Sequence, residues 1–346
     1  MFGWTVNTNL QKQVKFRNDK SKCHQRYTCT QPRQKCALVR QYFTRVRVLS
    51  DRITSSHPSY QQTPYVIMRG SAKEQLNWLA AHGFASRFQL IYWDPPFFSG
   101  RQQTAPRGSF ADSWPSLPVY LDFIRQHFAL IMPFLAPTGF FVLHCDYHAS
   151  HYLKVLGDEF MGYDNFRNEV VWHYTGRRIK ASHRVNSKHD VLLIWAKSEK
   201  SRMMPVYDPW DRDYYVRMKK QQIHKDLDGR EWIWGHKGKG QSHAYRIYLD
   251  DVIEKGRAID SVWDIPIINT SAKERTGYPT QKPLQLLERL VLLLTRPGDW
   301  VGDLMAGSGT TGVAAWTLKR PVWLGDNNPD AVAIMRQRMK ALTNLT

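Results

Sequence analysis

Asp94 follows directly on an apolar run in "QLIYWDPPFFSG", residues 89–100. Leu90, Ile91, Tyr92 and Trp93 read as a short, buried strand. Proline has no backbone N–H and a fixed φ, so Asp94-Pro95-Pro96 is a stiff elbow. It offers a carboxylate oxygen and backbone carbonyls, with few donors among them. Such a site suits a substrate that is itself a donor with two hydrogens. An exocyclic NH2 group is the obvious candidate.

A second constellation lies in "GDLMAGSGTTGVAA", where Gly307-Ser308-Gly309 joins a strand to a helix. Glycines at such a turn let a ligand approach the backbone, and the helix start offers free N–H groups. Asp326 ends the next strand, 17 positions after Gly309. An acid near that place in a nucleotide-binding α/β unit takes ribose hydroxyls. The loop is not of the G-x-x-x-x-G-K type, so a nucleoside ligand without phosphate suits it at least as well.

The elements that must position these residues alternate along the chain. "YVIMRG" reads as a strand, "SAKEQLNWLAAHG" as a helix closed by Gly83, and "QLIYW" as a strand. "PVYLDFIRQHFALIMPFL" reads as a helix and "GFFVLHC" as a strand. "NEVVWHY" and "DVLLIWAKS" read as two more strands, close enough to pair. In "KPLQLLERLVLLLTR" the spacing of Leu284, Leu287, Val291 and Leu294 is helical, with Pro283 at the start. A strand, a helix, a strand and a closing helix follow. The alternation predicts an α/β fold with a largely parallel, doubly wound sheet.

Residues 198–262 break this rhythm, mixing cations, aromatics and glycines without clear period. They read as an inserted surface module. Residues 1–60 are polar and basic, with Asp19 and Asp51 their only acids. A basic arm on phosphates, a transit peptide and a functionless tail are all open readings; an unstructured tail is expected. The domain reading is therefore a tail over 1–60, a catalytic half over 61–197, the insert over 198–262 and a cofactor-binding half over 263–346.

The chain of 346 residues carries a formal net charge of +19. A globular enzyme this basic usually meets a polyanion, nucleic acid first. Cys23, Cys29 and Cys36 are spaced more widely than zinc pairs usually are, so no metal is expected and reduced thiols are. The longest uncharged apolar stretch, 128–145, is broken by Pro133, Pro137 and Gly139, which excludes a membrane span there. A cytoplasmic protein is expected.

"DPPF", then "GYPTQKPLQLLERLV", then "DLMAGSGTT" resembles the beta group of amino-methylating DNA methyltransferases. "FRNEVVWHYTG", "KHDVLLIWAKS" and "INTSAKERTGYPTQKP" are similar to that family too, so the resemblance spans roughly residues 62–340. It implies a circularly permuted, Rossmann-like methyltransferase sheet with an inserted target-recognition region. It implies methyl transfer from S-adenosylmethionine to adenine N6 or cytosine N4 in double-stranded DNA, encoded by a bacterium, archaeon or phage. It leaves open a cognate restriction enzyme and a homodimer.

The resemblance also implies roles. Asp94, Pro95, Pro96 and Phe97 match the catalytic tetrad. Thr280, Gln281 and Lys282 match the segment beside the cofactor's methionine end. Asp303, Gly307, Gly309 and Thr310 match the glycine loop, and Asp326 the ribose-binding acid. Leu304-Met305 stands where the family often has Pro-Phe, so Met305 marks an altered contact with the adenosine end. Gly70-Ser71 stands where it often has Gly-Asp, so a carboxylate near the cofactor's adenine is expected to be missing.

The amino nitrogen of adenine is conjugated with its ring and is a poor nucleophile. Asp94 and the Pro95 carbonyl, accepting one hydrogen each, would free its lone pair. Proton acceptance of this kind contributes about 10²- to 10⁴-fold in rate. Phe97 would stack on a base flipped out of the duplex. An acid at the first position of the tetrad favours adenine; cytosine N4, or a catalytically silent DNA-binding homologue, is the alternative. Carbon-5 cytosine chemistry is excluded, because it usually uses a Pro-Cys nucleophile and the chain has no such dipeptide. DNA contacts are expected from Arg177, Arg178, Lys180 and Arg184, and from the insert's Lys219, Lys220, Lys237 and Lys239, most of them to phosphate.

Overall fold

The structure is a computed structural model that describes residues 53–55, 64–176, 180, 183, 185–236 and 244–344. Most of the predicted tail, with Cys23, Cys29 and Cys36, lies outside the described residues. Nine strands build the main sheet. In chain order they are β1 (Ile53–Ser55), β2 (Tyr65–Arg69), β3 (Phe88–Trp93), β4 (Leu135–Cys145), β5 (Phe166–His173), β6 (His189–Ala196), β7 (Val262–Asp264), β8 (Trp300–Asp303) and β9 (Val322–Asp326). Across the sheet the order is β1-β2-β9-β8-β3-β4-β6-β5-β7.

The middle of the sheet is parallel: β2 with β9, β9 with β8, β8 with β3, and β3 with β4. β6 runs antiparallel to both β4 and β5, and β1 antiparallel to β2. Parallel strands covered on both faces read as near-continuous apolar runs, which is why β2, β3 and β9 were legible. All five residues of β9 are buried, as are four of the five in β2.

Eight α-helices are described: α1 (Ala72–Ala81), α2 (Leu117–Ile131), α3 (Ser150–Met161), α4 (Arg212–Lys219), α5 (Leu249–Lys255), α6 (Leu284–Leu294), α7 (Thr310–Thr317) and α8 (Pro329–Thr343). No described helix is long and apolar enough to cross a membrane. Ser71 starts α1 with a capping box: its hydroxyl accepts the Glu74 N–H, and Glu74 accepts the Ser71 N–H at 2.8 Å. α6 buries Leu286, Leu290 and Leu293 as well as Leu287, Val291 and Leu294, so its apolar stripe is wider than the predicted spacing.

Two elements carried no clear signal. α3 buries Leu153, Leu156 and Met161, but no side chain caps its start and Gly157 interrupts its pattern. Residues 101–105 and 108–112 form an antiparallel hairpin of mostly polar residues. The aperiodic insert has structure of its own. Residues 224–225, 231–236 and 244–248 form a small antiparallel sheet, and Tyr215, Ile233 and Leu249 form a separate core with α4 and α5. Its far end, Val262, belongs to β7 in the main sheet.

Candidate active site

β3 and β8 are parallel neighbours, so their C-terminal ends, Asp94 and Asp303, open onto one cavity of about 470 Å³. Open α/β sheets bind ligands at this edge. The wall includes Asp94, Pro95, Pro96, Phe97, Thr280, Lys282, Asp303, Met305, Gly307, Thr310 and Asp326. The structure thus brings together residues from three separate stretches of sequence.

Two predicted residues stand off the wall. The Gln281 side chain turns into its own loop, where it accepts the Thr276 N–H at 2.8 Å and donates to the Glu274 carbonyl at 2.7 Å. Gly309, at φ 74°, begins α7 and packs against Met335, where an added Cβ would come within 2.6 Å of that side chain.

Asp94 is held from one side. Its Oδ2 accepts a hydrogen bond from Lys282 Nζ at 2.5 Å. Its Oδ1 is buried and accepts none. His144 Nδ1 lies 3.7 Å from that oxygen. Lys282 is buried and rests on the loop of Thr280, a β-branched residue in the left-handed region at φ 57°. Strain of this kind persists only where the surroundings impose it.

The turn after Asp94 is braced by Asp112, which sequence reading missed. Its carboxylate accepts the N–H of Phe98 at 2.8 Å and of Ser99 at 3.0 Å, and also the Ser99 hydroxyl. Tyr120 donates its hydroxyl to the Pro96 carbonyl at 3.0 Å. Phe98 stacks on Tyr120, while the Phe97 ring lies under Lys282 Nζ and beside His144.

The glycine loop is tied on both flanks. Asp326 accepts the N–H of Gly307 and of Asn328, each at 2.9 Å. Arg338 on α8 donates to the Ser308 carbonyl at 2.9 Å and to the Thr310 hydroxyl at 3.0 Å. Asp303 accepts the Thr311 hydroxyl at 2.6 Å and the Met305 N–H at 3.2 Å. Burial pushes the Asp303 carboxyl up to about 7, with the charges of Asp94 and Asp326 adding to it. Burial also raises Asp326. Ser71, which stands in place of the family's usual acid, lines the cavity; the nearest acid in sequence, Glu74, is engaged in capping.

A second cavity, of about 520 Å³, adjoins the first. Phe97, Gln103 and Asp112 line both. Its remaining wall includes Tyr147, His148, Tyr174, Lys180 and Asp190. Of the predicted DNA-binding residues, Lys180 is therefore beside the site, and Lys219 and Lys220 are exposed at the end of α4. Arg177, Arg178, Arg184, Lys237 and Lys239 lie outside the described residues. Arg230, another cation of the insert, is taken by Asp250 and Asp251 at 2.8 Å each.

Residues 88–337 match the N6/N4 DNA methylase family. The chain belongs to that family. It is 36% identical over 110 residues to the type II methyltransferase M2.DpnII of Streptococcus pneumoniae, a match covering 32% of this chain and 41% of that protein. It is 23% identical over 249 residues to the DNA adenine methyltransferase YhdJ of Escherichia coli K12, covering 72% and 74% of the two chains. Among solved structures it resembles the cytosine-N4-specific PvuII DNA methyltransferase, with a TM-score of 0.51 at 17% identity over 79% of this chain and 86% of that one. That likeness is one of fold.

The family uses S-adenosylmethionine as methyl donor. The first cavity fits it. Its volume falls in the range of about 300–1,000 Å³ that suits small ligands. Asp94, Asp112, Asp303 and Asp326 line it against a single ammonium, Lys282, which favours a ligand carrying a sulfonium. Two buried polar atoms on its wall, Asp94 Oδ1 and Trp114 Nε1, have no hydrogen-bond partner in the protein.

Proposed function

We propose that this protein methylates the N6 amino group of adenine in double-stranded DNA, in the cytoplasm. The observation that carries this reading is the placement of Asp94. Its unpartnered Oδ1 stands on the same cavity wall as the glycine loop, beside the ring of Phe97 that borders the second cavity.

In this reading the first cavity holds S-adenosylmethionine, with Asp326 at the ribose, Met305 and Ser71 toward the adenosine end, and Thr280 and Lys282 toward the methionine end. The cofactor supplies a methyl group made electrophilic by its sulfonium. The second cavity takes the flipped base, with Phe97 against its face. Asp94 accepts one hydrogen of the amino group and the Pro95 carbonyl the other, which frees the nitrogen lone pair. Lys180 and the cations of α4 hold phosphates. The acid at position 94, and the relationship to YhdJ over most of both chains, support adenine over cytosine.

The test is to expose DNA to the protein and labelled S-adenosylmethionine, digest to nucleosides and identify the product by mass. N6-methyladenine is expected, and absent with a folded Asp94→Ala protein. N4-methylcytosine would overturn the base assignment, and near-normal transfer by Asp94→Ala the role of Asp94.

A further inference from the structure

A chain of buried polar groups leads away from Asp94. His144, at the end of β4, is completely buried. Its Nε2 lies 3.2 Å from Asp190 Oδ2, and its Nδ1 lies 2.7 Å from the Tyr92 hydroxyl. Tyr174 donates its own hydroxyl to Asp190 Oδ1 at 3.0 Å. These groups come from four different strands or strand ends: β3, β4, β5 and β6.

The contact with Asp190 places a proton on Nε2 of the ring. Asp190 is an acceptor when ionised, so Nε2 carries the proton. Burial alone would raise Asp190, but the hydrogen bond from His144, the charge of Lys282 and the hydrogen bond from Tyr174 hold it below the ordinary carboxylate range. In the neutral ring Nδ1 is then the lone-pair nitrogen. Tyr92, whose phenol is kept protonated by burial and the neighbouring Asp94 charge, is able to donate to it. The Nδ1 atom lies 3.7 Å from the one Asp94 oxygen with no partner.

Resting on the function proposed above, we propose that His144 stores the proton released by the amino group during methyl transfer, and that Asp190 holds it in the tautomer able to do so. As the N–CH3 bond forms and the S–CH3 bond breaks, the nitrogen loses one proton to Asp94. Asp94 passes it to His144 Nδ1, and the Tyr92 hydroxyl turns from donor to acceptor. The proton on His144 leaves Asp94 ionised beside Lys282 and sets an imidazolium beside Asp190, so both charges are paired. When the product leaves, water entering the cavity takes the proton back through Asp94, and the ring returns to its starting tautomer. His144 acts through Asp94 and is a positioning residue in this scheme. An oriented carboxylate–imidazole pair beside a reacting group recurs in other enzymes.

Besides Asp94, Tyr92 and Asp190, with Lys282 on the far oxygen of Asp94, the ring faces the uncharged Phe97 and Trp172 rings, at 5.4 and 5.7 Å. The test is the pH profile of single-turnover methyl transfer by the full chain and by His144→Gln, with S-adenosylmethionine affinity measured by calorimetry. We expect His144→Gln to bind the cofactor within twofold of wild type and to transfer methyl about 10- to 100-fold more slowly at pH 8. We also expect one ionisation to vanish from the acid limb. Asp190→Asn should alter the same limb. A folded His144→Gln protein with an unchanged profile overturns the proposal, even if it is slower. Should that variant not fold, ¹⁵N spectra of histidine in the wild-type protein decide: an Nε2–H tautomer supports the scheme and an Nδ1–H tautomer overturns it. A wild-type protein that methylates no DNA sinks the proposed function, and this scheme with it.

Discussion

Lys282 Nζ sits 2.5 Å from Asp94 Oδ2, across 188 positions of sequence. The ammonium balances a carboxylate that is mostly out of water, and it occupies an oxygen that an amino group could also address. Lys282→Met removes that balance and leaves a partly buried charge alone. We expect methyl transfer to fall about 10²-fold, with Lys282→Arg retaining more of it. Single-turnover assays check this, and a Lys282→Met protein at wild-type rate would refute it.

Asp112 takes the N–H groups of Phe98 and Ser99 while only 2% exposed. Removing the carboxylate orphans these donors, each bond to a charged group being worth about 1.5–3 kcal/mol. Asp112→Ala should lose about 2–4 kcal/mol of stability in a denaturant titration and slow methyl transfer with it. Asp112→Asn should restore part of both. An Asp112→Ala protein as stable as wild type would refute this role.

The raised carboxyl of Asp303 makes a pH prediction. Its value of about 7 in the folded chain lies above the ordinary 3.8, so the folded state binds the proton more tightly. The associated stability is full below pH 4 and is lost as pH rises toward 7, on the order of 4 kcal/mol in all. Compared with Asp303→Asn, the wild-type melting temperature should fall across that window. S-adenosylmethionine, cationic at sulfur, should bind more tightly as pH rises from 5 to 8 and release protons near pH 6. Melting curves that run parallel for the two proteins would contradict this.

Arg338 links α8 to the glycine loop through Ser308 and Thr310. Arg338→Leu should weaken S-adenosylmethionine binding about tenfold, equivalent to about 1.4 kcal/mol, and leave DNA affinity at low salt unchanged. Calorimetry and a mobility-shift titration separate the two. Equal cofactor affinity in the variant would remove Arg338 from the site.

DNA affinity should fall steeply with salt, as it does when lysines displace counterions from phosphates. Replacing Lys219 and Lys220 together by Gln should reduce the slope of log affinity against log salt by about 1.8. An unchanged slope would take the end of α4 off the DNA.

Much of the wall of the first cavity was legible because its residues sit in short, local motifs at strand ends. Asp94, Asp303 and Asp326 each close a buried apolar strand, and that pattern needs no long-range information. Asp112, His144, Asp190 and Arg338 were not legible, because their partners are distant in sequence. His144 meets Asp190 across 46 positions and Tyr92 across 52. Arg338 meets Ser308 across 30. A histidine inside "FFVLHC" looks like an ordinary core residue until the sheet sets Asp190 beside it. Gln281 shows the converse: motif position put it beside the cofactor, while its amide serves the turn of Thr276.

The place of β8 and β9 bears on how the chain is made. β2 and β3 are neighbours in sequence, yet the last two strands of the chain lie between them in the sheet. Until residues 300–326 have left the ribosome, the nascent chain carries two apolar strand edges with nothing between them. Long-range pairing of this kind is slow and exposes such edges to aggregation. The final strands therefore act as a keystone, and a chain cut short before Trp300 should be found by chaperones and proteases rather than by DNA.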